Sequence, residues 1–180
     1  MITLANRLTI TRMALVLPYA LLALNGERLV AGVVFAVAAV TDLLDGHFAR
    51  VRSEETMLGK VLDPIADKML TITALIVLVA MDTLHGIHLL AAVIIAMREF
   101  WVAGLREGLI DSGAELPVSA MAKVKTTLQL VALFLLTLGD SFIGYTVFWA
   151  AALLTLYTGY QYTVDSFKVL NLGADETTSS

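Results

Sequence analysis

The stretch Thr41–Lys68, TDLLDGHFARVRSEETMLGKVLDPIADK, lies between two long apolar runs and carries six acidic side chains in 28 residues. Asp42, Asp45, Asp63 and Asp67 fall where the flanking hydrophobicity brings the chain to the edge of a lipid bilayer. Glu54 and Glu55 belong to the loop between. The rest of the chain supports the bilayer. Of its 180 residues 58% are hydrophobic, against ~45–50% for a soluble domain, and the mean hydropathy is +0.83. Charged residues make up 16% and gather at the edges of the apolar runs. A transmembrane β-barrel is excluded, because its strands would alternate in ~10-residue pieces whereas these runs are solidly apolar. With no cysteine, neither a disulfide framework nor a zinc–thiolate site is possible. The net charge of −4 carries little information, since the charges segregate by side of the membrane, and no nucleic-acid partner is expected.

The expected fold is therefore all-α and polytopic, with six transmembrane helices near Leu4–Leu24, Leu29–Arg50, Met57–Met81, Ile87–Ile110, Val118–Leu138 and Phe142–Leu170. Each approaches or exceeds the ~20 residues that cross a hydrocarbon core. Turn signals separate them at Asn25-Gly26, Asp82 to Gly86, Asp111 to Pro117 and Gly139-Asp140. Residues 1–170 form one membrane domain, and the polar stretch 171–180 is expected to be a disordered tail. The first segment has the basic start of a signal peptide, but no small-residue cleavage site follows, so it reads as a span.

Six spans put both termini and the second–third and fourth–fifth loops on one side. That side holds Arg7, Arg12, Arg50, Arg52, Lys60, Lys68, Arg98, Arg106, Lys123, Lys125 and Lys168, and the other keeps only Arg28. By the positive-inside rule the termini and the acidic cluster face the cytoplasm.

On a helix Asp42 and Asp45 share a face with Gly46 and Ala49, and Gly59, Asp63 and Asp67 follow one another at one-turn intervals. The short link between the two helices predicts antiparallel packing with these ends adjacent, so that four carboxylates converge. An Asp inside a span costs up to about 2.5–3.5 kcal/mol on the insertion scale. A solvated helix end accounts for Glu54 and Glu55, but not for two regular pairs on inward faces with small residues beside them. Hard cations resolve the repulsion: carboxylates without Cys or His suit Mg²⁺ or Mn²⁺. Four could hold two ions ~3.5–4 Å apart, a clamp for phosphoryl chemistry. A divalent-cation pathway is the competing reading. Such pathways place their sites near the midplane, and they have no need of Arg50 with Gly46, Ala49 and Gly59.

The pattern Asp42-x-x-Asp45-Gly46-x-x-Ala49-Arg50, eight residues, Gly59-x-x-x-Asp63-x-x-x-Asp67 resembles the signature of the CDP-alcohol phosphatidyltransferase family, without a gap over 26 residues. The resemblance implies that Asp42, Asp45, Asp63 and Asp67 bind metal and that Asp67 is the general base on the acceptor hydroxyl. It further implies that Asp42, Gly46, Ala49, Arg50 and Gly59 bind the CDP part of CDP-diacylglycerol. The hydroxyl would attack the β-phosphorus and CMP would leave.

The signature does not choose the alcohol. Arg98 lies some three turns inside its span, where it needs a partner such as Glu99 or a substrate phosphate. Together with Arg106, Lys123 and Lys125 it suits an acceptor that brings its own phosphate. Lys123 and Lys125 are two apart and point to opposite sides, so which one reaches a pocket is open. The segments NRLTITRMALVLPY, LDPIADK, REFWVAGLRE and AKVKT resemble family members that use sn-glycerol 3-phosphate. Phosphatidylglycerol, serine and inositol phosphate are the other acceptors weighed. The resemblance also implies phospholipid biosynthesis in a bacterial inner membrane, a homodimer, and Asn6 and Thr9 at the nucleotide entrance. Arg12 reads equally as part of that entrance or as an interfacial anchor.

His85 and His88 fall in an outer loop and read as interfacial. Phe100, Trp101, Trp149 and Tyr157 read as packing or interface aromatics. Pro64 sits in a first helical turn or kinks its helix.

Overall fold

The computed structural model describes residues 4–52, 57–114, 116 and 119–177. Side chains are described for the same residues except 4–6, 8, 42–52, 57–61, 63, 64, 67 and 171–177. Among the described residues there are six α-helices and no strand: α1 Leu4–Leu24, α2 Arg28–Arg52, α3 Met57–Ala80, α4 His88–Asp111, α5 Ala120–Leu138 and α6 Phe142–Thr177.

The boundaries follow local chemistry. Gly26, at φ +86°, turns the chain between α1 and α2, and Glu27 N–H closes the turn on Leu22 O at 3.0 Å. α5 starts two residues later than its apolar run suggests because Ser119 is its N-cap, its hydroxyl accepting from Ala122 N–H at 3.2 Å. α6 continues to Thr177, through most of the stretch expected as a disordered tail. Extending a formed helix fixes one residue per hydrogen bond, so polarity alone does not end it.

Contacts between helices fix their directions. Arg28, at the start of α2, lies 3.6 Å from Asp140 beyond α5 and donates to Thr83 beyond α3 at 3.4 Å. Tyr145, near the start of α6, donates to Thr83 O at 2.7 Å. The ends of α3 and α5 therefore meet the beginnings of α2 and α6. Trp149–His88, Arg98–Thr158 and Trp101–Thr163 link α4 and α6 at sequence separations of 61, 60 and 62. That near-constant offset means the two run parallel. Odd-numbered helices run one way and even-numbered ones the other.

α1 packs against α2 and α3, α5 against α6, α2 and α3, and α4 against α6 and α3. α2 and α3 also touch among the described residues, as the short link predicted, though along less of their length than either touches α1. Five steps from Arg52 to Met57 span at most ~18 Å.

Tyr19, Phe35, Leu78, Ile95, Leu133, Leu136 and Phe148 are fully buried and form the centre of the core. Tyr19 shares a 3.1 Å hydrogen bond with Thr137, tying α1 to α5. The outward surface is strongly apolar, with Leu29, Val33, Val37, Ile76, Met97, Ile143 and Leu153 exposed, as hydrocarbon requires. Three helices, His88–Asp111, Ala120–Leu138 and the Phe142–Leu170 part of α6, are long and apolar enough to cross a membrane. The side chains described on the other helices leave shorter apolar pieces, Thr9–Leu24, Arg28–Thr41 and Lys68–Ala80. These features mark an integral membrane protein.

Candidate active site

Asp42, Asp45, Gly46, Ala49 and Arg50 lie on α2, and Gly59, Asp63 and Asp67 on α3; their side chains lie outside the described set. Helix rise alone sets their depth. Counted from the linked ends at Arg52 and Met57, Asp45 and Asp63 are about 10 and 9 Å in, and Asp42 and Asp67 both about 15 Å in. Each helix thus carries one acidic position about two turns and one about three turns from its linked end. Pro64 falls inside α3, past its first turn.

A second set of polar groups joins this one through α5. Gln129 Nε2 donates to Thr71 Oγ1 at 3.2 Å, and both residues are buried. Asp67 is four residues before Thr71 and Lys125 four before Gln129. Because α3 and α5 run parallel, stepping back one turn, ~6 Å, along each puts position 67 level with position 125 on facing stripes.

Lys125 is 3% exposed and its ammonium is ion-paired with Glu99 Oε1 of α4. Arg98 Nη1 lies 3.6 Å from the same oxygen, and Arg98 Nη2 donates to Thr158 Oγ1 of α6 at 3.4 Å. Gly159 lets the arginine stem pass: a Cβ there would meet Arg98 Cγ at 3.0 Å. One buried carboxylate therefore holds two cations from separate helices. Removing a partner from such a buried group typically costs about 3–5 kcal/mol.

The sequence-selected residues divide clearly. Of the lysine pair, Lys125 turns into the bundle and Lys123 is exposed. Arg106 is exposed and lines a separate cleft with Leu109, Ile110, Ala114, Leu116 and Tyr162; it is not brought to Glu99. Thr9 and Arg12 are buried on α1, Arg12 at 1% exposure, so Arg12 faces the bundle and not the lipid interface. The side chain of Asn6 lies outside the described set. At the opposite end His88 stacks on Tyr145, with centroids 4.2 Å apart, and accepts from Trp149 Nε1 at 3.1 Å. His85 Nδ1 lies 2.8 Å from Asp82 O. Both histidines serve packing and loop closure. Sequence reading missed Thr71, Gln129, Thr158 and Gly159; the one available signal was that Thr71 and Gln129 repeat the faces of Asp67 and Lys125 one turn on.

The family model for CDP-alcohol phosphatidyltransferase matches residues 2–157. The chain belongs to the CDP-alcohol phosphatidyltransferase family. The match takes in both groups of polar residues on α2–α5 and α6 as far as Tyr157. Among relatives, a protein of Rickettsia felis is 41% identical over 171 residues, covering 88% of this chain and 92% of its own. One of Rickettsia bellii is 40% identical with the same coverage. One of Shigella flexneri serotype 5b is 39% identical over 138 residues, covering 73% of this chain and 75% of its own. All three are named CDP-diacylglycerol–glycerol-3-phosphate 3-phosphatidyltransferase.

Proposed function

We propose that this protein transfers the phosphatidyl group of CDP-diacylglycerol to sn-glycerol 3-phosphate, releasing CMP and phosphatidylglycerophosphate in phospholipid biosynthesis. The observation that carries the reading is the α3–α5 register: position 67, the base in the family signature, stands level with Lys125, which shares Glu99 with Arg98. An acceptor whose phosphate engages Arg98 and Lys125 has its far hydroxyl within reach of that level. Arginine and lysine donors to phosphate are charge-assisted and strong.

Asp67 takes the proton of the acceptor hydroxyl. The hydroxyl oxygen forms a bond to the β-phosphorus, the bridge to the α-phosphate breaks, and CMP leaves with the electron pair. Asp42, Gly46, Ala49, Arg50 and Gly59 seat the CDP part, with Asn6 and Thr9 at its entrance. Asp42, Asp45, Asp63 and Asp67 would hold two Mg²⁺ or Mn²⁺ ions; four carboxylates in a chain without cysteine are a donor set for hard cations. Such ions, when bound, neutralise the pyrophosphate and the developing charge on CMP. Orientation of the reactants on fixed helices supplies the remainder. All six helices span the bacterial inner membrane, both termini and the site face the cytoplasm, and the protein works as a homodimer.

The test is purified protein with CDP-diacylglycerol, Mg²⁺ or Mn²⁺, and a panel of alcohols, with CMP release followed. Release with sn-glycerol 3-phosphate, abolished by a chelator, is expected. Release only with serine, inositol phosphate or phosphatidylglycerol overturns the acceptor, and no release with any alcohol overturns the enzyme.

A further inference from the structure

One turn outward from the Lys125–Glu99 pair, two buried polar atoms have no hydrogen-bond partner among the described residues, Gln129 Oε1 and Thr155 Oγ1. Gln129 is 1% exposed and Thr155 fully buried. They stand at one level. Gln129 follows Lys125 by one turn on α5. The α4–α6 register, an offset of 60 to 62, sets Thr155 beside Ile95, one turn outward from Glu99. α5 packs directly on α6.

Neither atom is idle for lack of a local option. Threonines in these helices return their hydroxyls to the carbonyl four residues back, as Thr126, Thr137, Thr146, Thr158 and Thr163 do at 2.8–3.1 Å. Thr155 does not, leaving its donor inside the bundle. Gln129 satisfies one half of its amide on Thr71 and leaves the acceptor half open. Buried groups of this kind are rarely left unpaired unless something else fills the place.

We propose that Gln129 and Thr155 form the subsite for the internal, non-reacting hydroxyl of a polyol phosphate acceptor and so set its specificity. This assignment rests on the acceptor reading above. sn-Glycerol 3-phosphate carries that hydroxyl on carbon 2, between the phosphate-bearing and reacting carbons. With the phosphate on Arg98 and Lys125 and the reacting hydroxyl at the level of Asp67, the middle carbon faces the next level outward. Its hydroxyl donates to Gln129 Oε1 and accepts from Thr155 Oγ1–H, matching one open acceptor and one open donor. A site built to bond a substrate hydroxyl discriminates against the analogue that lacks it.

The experiment compares kcat/KM for sn-glycerol 3-phosphate and 3-hydroxypropyl phosphate, which lacks the carbon-2 hydroxyl, and follows KM for CDP-diacylglycerol throughout. The native protein is expected to favour the glycerol phosphate by about tenfold or more. Gln129→Leu and Thr155→Val are expected to bring that ratio to within about twofold of one, and Thr155→Ser, which keeps the hydroxyl, to retain it. A purely structural role would lower both acceptors together and leave the ratio unchanged, which overturns the proposal. Should the variants not fold, the native ratio decides alone: a value near one overturns the hydroxyl subsite while leaving the acceptor reading intact. No turnover of either phosphate by a native protein active on another alcohol overturns the acceptor reading and the subsite with it.

Discussion

Lys123 and Lys125 differ by a single rotation of about 200° around α5, and that rotation decides which one can act. Their divergence is legible in the sequence. The inward choice is not, because it depends on Glu99 arriving from α4 and Gln129 reaching Thr71 on α3. Lys125→Met should raise KM for the acceptor about tenfold or more, with KM for CDP-diacylglycerol little changed. Lys123→Met should stay within about twofold of native. Equal effects of the two substitutions would contradict the assignment. Asp67 is proposed as the base because it is the last position of the family signature, which is legible in the sequence. Asp67→Asn keeps size and polarity but removes the base, so turnover should fall about 10²–10⁴-fold while the thermal transition of the purified protein is retained. Native turnover by that variant would remove Asp67 from its role.

At the scale of the helices, the apolar runs located five of the six helices to within two residues at each end, and α6 runs seven residues past its expected end. Their neighbours were less legible. A short link guarantees that α2 and α3 end close together, but not that they pack along their length, and α1 lies against both. The parallel α3–α5 contact joins segments 58 residues apart through Gln129 and Thr71, a pairing that no local pattern announces. The same holds for Gly159, whose missing side chain makes room for Arg98. Gly159→Ala would place a methyl 3.0 Å from Arg98 Cγ. It is expected to displace the guanidinium and raise KM for the acceptor several-fold, with helix content unchanged by circular dichroism. An unaltered acceptor KM would show that the Arg98 stem yields without moving its head.

For the whole molecule, the proposed orientation rests on the sequence bias of eleven basic residues against Arg28. The alternating helix directions put most of those eleven toward the end where α2 finishes and α3 begins, with Arg98 near the middle of α4. Because the chain has no cysteine, single cysteines report sidedness directly. His85→Cys, in the exposed loop before α4, should react with a membrane-impermeant maleimide added outside intact cells. Lys123→Cys, exposed at the start of α5, should react only after the membrane is opened. The reverse pattern would invert the topology. In the proposed function, orientation bears on access: a water-soluble polyol phosphate and released CMP would both meet the lipid donor at that one end.

That meeting is tested most directly by stoichiometry. The purified protein, reconstituted with CDP-diacylglycerol and Mg²⁺, is given isotopically labelled sn-glycerol 3-phosphate, and label entering the lipid phase is counted against CMP released. One label per CMP, with neither appearing when a chelator is present, is the predicted result. CMP release without lipid label, or no release at all, would contradict it.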